Sequence, residues 1–205
     1  GKEKTFVIAN NSADNLVLNY DEKVTEFNLK NNWKSVNGSD LFNRPFQFRL
    51  IKDYTSPFNN QLYLLPTIEY LNIYDGINLG LNINNRGILK KPFTFGIAPN
   101  YSLKSKALTG FTKFIHNTYF EDQDLYNIQF GVSLSRSSFA ENSFVTKLRP
   151  YLSFNFKDAS NLRSNEFKSL SFRYVGIDKD YVETTVDEMA LPSYGVFNIR
   201  YLNSN

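Results

Sequence analysis

The chain of 205 residues contains no cysteine and only one histidine, one methionine and one tryptophan. Without thiols, a disulfide scaffold, a thiolate zinc site and a cysteine nucleophile are all excluded. The sequence also lacks any run of roughly 18 or more consecutive apolar residues, which excludes a membrane-spanning helix.

An excess of one charge sign is also missing. The chain carries 23 Lys and Arg against 20 Asp and Glu, a net charge of +3, and the basic residues are scattered. This pattern predicts no nucleic-acid partner. The mean hydropathy of −0.39 is typical of a water-soluble protein. It does not exclude membrane-spanning strands, because alternate residues of such strands face a polar interior and lower the average.

What the chain has in abundance is aromatic residues, with 19 Phe and 13 Tyr, set in strict alternation from residue 61 onward. Apolar side chains alternate with Gly, Ser, Asn and Thr in about eight segments of roughly 9–13 residues, where soluble strands average about 5–6. Only residues 108–120 leave the two faces hard to separate. The apolar positions that we expect to face lipid are Ile77, Leu79, Leu81, Ile83, Phe93, Phe95, Ile97, Ile128, Phe130, Val132, Leu134, Leu152, Phe154 and Phe156.

Strand length favours an outer-membrane-type β-barrel, or part of one. A strand tilted across a bilayer needs about 9–11 residues, with apolar side chains outward and polar ones toward the lumen. Aromatics near strand ends, such as Phe93, Tyr119, Tyr126, Tyr174 and Tyr201, are expected to form interfacial girdles. The alternative is a soluble sandwich or lipocalin-like barrel with the apolar face inward, because periodicity does not say which face is buried.

The domain organisation has three predicted parts. Residues 1–35 contain short strand patterns (5–8, 15–19 and 24–27) typical of the end of a β-sandwich-like domain. Residues 36–60 form a connector, with a strand candidate at 46–51 and a short helix at 40–43. Residues 61–205 supply the barrel strands. Strand-like runs at both ends predict an excerpt of a longer protein; the alternative is a compact domain with paired terminal strands.

Several spaced motifs carry a family resemblance; in chain order they are Phe27–Lys34, Pro45–Asp53, Leu65-Pro66, Tyr74–Leu81, Lys91–Phe93, Ile97–Ser102 and Leu108–Gly110. This succession resembles the region after the peptidase part in large bacterial gluzincin (aminopeptidase N-like) zinc metallopeptidases, where an outer-membrane-type β-barrel follows the enzyme. The resemblance implies an enzyme upstream, barrel strands that continue beyond residue 205, and a bacterial outer-membrane location. It also implies lipid as a partner and membership of a membrane protein complex with other outer-membrane proteins.

Catalytic chemistry is not expected in this chain. A gluzincin zinc site needs two histidines four residues apart and a glutamate between them, and this chain has only His116. We therefore expect no catalytic, cofactor-binding or metal-ligating residue and no cofactor. We expect His116 to be packed or to face the lumen, Trp33 to be a packed core residue, and the acidic stretch 178–188 to be a solvated loop.

The sequence thus predicts a non-catalytic barrel portion that anchors a larger metallopeptidase-like protein and docks it to other outer-membrane proteins. The alternative is a soluble all-β module that binds glycan or peptide through exposed aromatics. The direction in which the alternating apolar side chains point discriminates between the two.

Overall fold

The chain is all-β in a computed structural model. The structure describes residues 5, 7, 12–26, 29–38, 44–52, 55–87, 91–158, 160–161, 163–180 and 193–204. Its strands are β1 (Asn15–Val17), β2 (Trp33–Ser35), β3 (Phe46–Arg49), β4 (Asn60–Tyr70), β5 (Ile77–Asn84), β6 (Phe93–Ser102), β7 (Leu108–Tyr119), β8 (Leu125–Ala140), β9 (Ser143–Lys157), β10 (Phe167–Lys179) and β11 (Tyr194–Ser204). A 3-10 turn, Leu29–Asn32, precedes β2.

Nine of these strands form one sheet in the order β11-β10-β9-β8-β7-β6-β5-β4-β3. The neighbours from β4 to β11 are all antiparallel and follow chain order, and only the short β3 runs parallel to its neighbour β4. The eight strands β4–β11 have 8 to 16 residues each. The prediction of about eight long antiparallel strands from residue 61 onward is confirmed.

The sheet has two edges within the described residues. Strand β11 pairs with β10 alone, and β4 pairs with β3 only over residues 60–63. A ladder between β11 and β4, which would close an eight-stranded ring, is not present in the described part of the chain. Pro66 lies on the stretch of β4 beyond β3, where an absent N–H removes no ladder bond on the open side.

Two prolines lie inside central strands, where proline is normally avoided. The ladder between β5 and β6 skips two consecutive pairs, one of which would contain Pro99, and the ladder between β9 and β10 skips two, one of which would contain Pro150. Since proline has no N–H to donate, each interruption is the local consequence of the residue. The other neighbour of each strand keeps its register through these positions.

The amino-terminal part contributes a two-stranded antiparallel sheet, β1 with β2. The ring of Trp33 packs edge-on against the ring of Phe58, which Tyr20 also contacts. Trp33 is half-buried, so it packs against a neighbouring ring without being a buried core residue. Residues 24–26 are not strand, so the strand predicted at 24–27 is wrong over the described part. Residues 6 and 8 of the strand predicted at 5–8, and all of the helix predicted at 40–43, lie outside the described residues; residues 5 and 7 are not assigned to a strand.

Candidate membrane-facing surface

Registers between neighbouring strands place the fourteen candidate lipid-facing residues on one side of the sheet. Leu79 lies opposite Ile68 on β4 and Tyr101 on β6. The cross-strand pairs from β6 to β11 continue this row, so every second residue of each strand lies on the same side as Leu79. We call this side the apolar face and the other side, which carries Asn78 and Asn100, the polar face. On β8, β9 and β10 the apolar face continues through the aligned row Phe130, Leu152 and Phe172.

Burial is inverted relative to a water-soluble protein. None of the fourteen candidates is buried, and the apolar face includes Ile68 at 79% and Phe130 at 51% exposure. Within β4–β11 the buried side chains other than Ser138 lie on the polar face, where Asn78 is 0% and Asn100 is 3% exposed. Other buried residues of that face are Asn84, Ser102, Thr109, Asn127 and Ser153. A sheet of this kind presents hydrocarbon outward and shields its amides and hydroxyls.

Charged side chains on the apolar face lie only near strand ends. Within the paired strands β4–β11 they are Arg136, Lys168 and Asp178. On β10 the run from Lys168 to Asp178 brackets Leu170, Phe172, Tyr174 and Gly176. Ten residue steps at about 3.3 Å each, tilted by about 45°, span roughly 23 Å. An outer-membrane barrel carries an apolar band about 25 Å tall, so the two dimensions agree.

The predicted aromatic girdle is only partly at strand ends. Phe93 begins β6, and the rings of Tyr119 and Tyr126 meet at 5.6 Å where β7 passes to β8. Tyr174 instead lies inside β10, where its ring covers the site of a missing side chain at Gly195. An aromatic side chain that covers a glycine on a neighbouring strand restores packing where the glycine offers none.

Side chains on the polar face reach over glycines to make bonds between strands that are not neighbours. Gly80 lies between Thr67 and Asn100 in register, and the hydroxyl of Thr67 donates to Asn100 Oδ1 at 3.4 Å. Asn100 Nδ2 in turn donates to Glu69 Oε1 at 2.5 Å. Gly131 on β8 is likewise crossed by a side chain, the ring of Tyr151 on β9, but the Tyr151 hydroxyl donates to Gln129 on the adjacent strand β8.

A further row of amides and hydroxyls links β7, β8 and β9. Gln129 Nε2 donates to Asn117 Oδ1 at 2.8 Å, and its Oε1 accepts from the Tyr151 hydroxyl at 3.0 Å. Asn155 Nδ2 donates to Asn127 Oδ1 at 2.9 Å. Because buried polar groups are costly unless hydrogen-bonded, this row explains how a polar face is buried without loss of stability.

The carboxylate of Asp75 joins its own turn, the turn between β6 and β7 and the end of β8 at one end of the sheet. It is fully buried and lies between β4 and β5. Its oxygens accept from the Ser138 hydroxyl at 2.5 Å and amide at 2.9 Å, the Ser105 hydroxyl at 2.9 Å and Asn72 Nδ2 at 3.0 Å. Three strand spacings separate β5 from β8, about 14 Å in a flat sheet. The Asp75–Ser138 contact therefore requires the sheet to curve at this end, or the turn that carries Asp75 to reach across to the end of β8.

Burial and hydrogen bonding act in opposite directions on Asp75. Burial by itself raises the pKa of the carboxyl, but the bonds from the Ser138 hydroxyl and amide, from Ser105 and from Asn72 favour the carboxylate. Together these donors hold the pKa of Asp75 below its ordinary value. The sequence alone gives no sign of this role for Asp75, because the main donor is 63 positions away.

The single histidine lies in a different place from the one expected. His116 is exposed on the apolar face near the end of β7, with Phe93 and Phe130 as its cross-strand neighbours. The expectation that it is packed or faces the polar side is therefore wrong. The described part of the chain contains no group of three or more His, Asp or Glu side chains arranged to hold a metal ion.

The polar face carries charge that is almost entirely positive. On β7, β9, β10 and β11 its basic residues are Lys113, Lys147, Arg149, Lys157, Arg173, Lys179 and Arg200. Glu69 is the one acidic residue on the paired, described positions of this face. The sequence suggested a polar face poor in long charged side chains, which holds for β5, β6 and β8 but not for the other strands.

Comparison of the chain with family models, with curated proteins and with solved structures finds no match. Among the residues that the structure describes, no helix has the length and apolar character to cross a bilayer.

Proposed function

We propose that this chain is a non-catalytic portion of a bacterial outer-membrane β-barrel, and that its apolar face contacts lipid. The observation that carries the proposal is the inverted burial: a row of exposed aliphatic and aromatic side chains on one face, and buried amides and hydroxyls on the other. In water this arrangement exposes the groups that gain most from burial. In a bilayer the same groups replace lipid contacts, and the ladder satisfies the backbone.

The anchoring role rests on the family resemblance. If the parent protein is a metallopeptidase of the gluzincin type, this portion holds it in the outer membrane and docks it to other outer-membrane proteins. The second candidate, a soluble all-β module for glycan or peptide, is favoured by one observation. The exposed aromatics, among them Tyr70, Phe197 and Tyr201, are also the side chains that line glycan and peptide grooves.

Expression with and without detergent tests the first proposal against the second. A chain that forms part of a membrane β-barrel should aggregate in detergent-free buffer. In micelles or phospholipid vesicles it should fold into a species whose gel migration changes on heating. A stable, monodisperse monomer in detergent-free buffer would contradict the membrane proposal and favour the soluble module.

A further inference from the structure

A cavity of about 140 Å³ opens on the polar face where β4 to β7 lie side by side. Its floor is formed where Asn84, Gly96 and Lys113 lie in one row across β5, β6 and β7. Gly96 contributes no side chain, and a methyl group built there would meet nothing closer than Asn84 Cβ at 3.8 Å. The space above this glycine is therefore open.

Three basic side chains line the cavity: Lys52 and Arg86 from the connecting segments and Lys113 from β7. No carboxylate lines it among the described residues, and the ion pairs found in that part of the chain do not involve these three. Burial, and then the neighbouring Arg86, lowers the pKa of Lys52. Its ammonium lies 5.3 Å from the ring centre of Tyr63. The cavity thus concentrates positive charge without a described anion to balance it.

Apolar side chains line the same cavity. Strand β7 turns Phe111 and Ile115 to the polar face on either side of Lys113, and Leu65 of β4 lies across from them. A phosphate or sulfate alone would leave these groups without a partner. A ligand that matches the whole lining has an anionic head and a compact apolar body.

We infer that this cavity binds a small amphipathic anion of the aromatic carboxylate class. The carboxylate lies among Lys52, Arg86 and Lys113, and the ring lies over Gly96 between Leu65, Phe111 and Ile115. The size is suitable, because an engineered apolar cavity of about 150 Å³ in another protein accepts one benzene ring. The basic residues on the rest of the polar face raise the local concentration of anions and favour entry.

The test measures binding of 4-fluorobenzoate by ligand-observed fluorine NMR, with the full chain folded in a neutral detergent. The uncharged 4-fluorobenzamide reports partition into micelles or apolar surface. Two variants address the site: Lys113→Gln removes one charge, and Gly96→Leu fills the floor. Lys147→Gln is the matched control, because it removes a charge from the same face outside the cavity lining. Circular dichroism of each variant confirms its folding.

We expect saturable binding of 4-fluorobenzoate that weakens about tenfold in Lys113→Gln and is lost in Gly96→Leu. Lys147→Gln and the wild-type chain should bind alike, and the benzamide should bind much more weakly. Equal binding of the acid and the amide, or equal binding by Lys113→Gln and Lys147→Gln, would overturn the inference. The comparison of acid with amide and the comparison of Lys113→Gln with Lys147→Gln do not depend on insertion into a bilayer. A negative result would therefore contradict the binding site without contradicting the membrane proposal.

Discussion

Single residues on the polar face determine how closely the strands approach, and Gly80 is the clearest case. A methyl group at this position would lie 1.6 Å from Asn100 Oδ1 and 2.8 Å from the Pro99 carbonyl oxygen. The side chain of Asn100 can rotate away, but the backbone of Pro99 cannot move without disturbing β6. Gly80 is therefore required by the close approach of Asn100, rather than by its own backbone conformation.

Gly80→Ala should destabilise the fold by about 1–3 kcal/mol, because it displaces Asn100 and breaks its bond to Glu69. Urea unfolding in detergent or lipid measures the change. Gly96→Ala is the matched control, since its methyl group would meet only an ordinary contact at 3.8 Å. Equal stability of the two variants would contradict the packing described for Gly80.

Asp75→Asn should cost about 1–3 kcal/mol at neutral pH, because an amide nitrogen replaces an acceptor and leaves buried donors unpaired. The variant should also lose part of the pH dependence. The pKa of Asp75 is lowered in the folded state. Its stabilising contribution is therefore present above the unfolded pKa of about 3.9 and is lost as the pH falls through the lower folded pKa.

Unfolding midpoints of wild type and Asp75→Asn, measured at pH 7 and in steps below pH 4, check both effects. The difference between the two proteins should shrink as the pH falls. Asp158→Asn, on an exposed loop, should leave the midpoint at pH 7 nearly unchanged. A constant difference at every pH would show that the charge of Asp75 does not contribute.

At the scale of strands, alternation in the sequence predicted which side chains share a face. All fourteen lipid-facing candidates lie on one side because period two is a direct property of extended backbone. The faces of strand β7 could not be predicted in this way, because Phe111 and Ile115 lie on the polar face while Thr112 and His116 lie on the apolar face. The cavity that these two apolar residues line is completed by side chains of other segments, such as Lys52 and Leu65, so the β7 segment alone contains no sign of it.

Contacts between segments that are distant in the sequence could not be predicted from local patterns either. The bonds of Asp75 to Ser138 and of Asn100 to Glu69 depend on strand order and register. Neither is determined by local composition. The tilt and curvature that bring such residues together arise from the whole sheet. The sequence therefore predicted the elements and their faces, but not the polar network that holds them.

Leu81→Phe tests the apolar face of β5 at the same scale. Lipid accommodates a larger apolar group with little strain, whereas a close-packed interior loses about 1–3 kcal/mol on overpacking. We expect near-normal stability and assembly for Leu81→Phe, measured by heat-modifiable gel migration and by urea unfolding in lipid. Ala98→Phe is the control on the buried polar face and should destabilise. Clear loss of folded protein in Leu81→Phe would place Leu81 in a packed interior.

At the scale of the whole molecule, the nine-stranded sheet of the described residues has an apolar face, a polar and basic face, and two strand edges. Strand β11 is exposed along its entire length. In a bilayer an unpaired edge is costly, because its N–H and C=O groups find no water there. The proposed membrane location therefore requires each edge to pair with another strand or to lie against protein.

The central claim is that the apolar face meets lipid, and the chain is well suited to a direct test because it has no cysteine. Single variants Leu79→Cys and Phe130→Cys on the apolar face, and Asn82→Cys and Gln129→Cys on the polar face, sample β5 and β8. Each is labelled with a nitroxide in phosphatidylcholine vesicles, and its collision rates with oxygen and with a water-soluble nickel chelate are measured by electron paramagnetic resonance. We predict that the ratio of the oxygen collision rate to the nickel-chelate collision rate is high at Leu79 and Phe130 and much lower at Asn82 and Gln129. Equal ratios on the two faces, or failure of the wild-type chain to enter the vesicles, would contradict the claim.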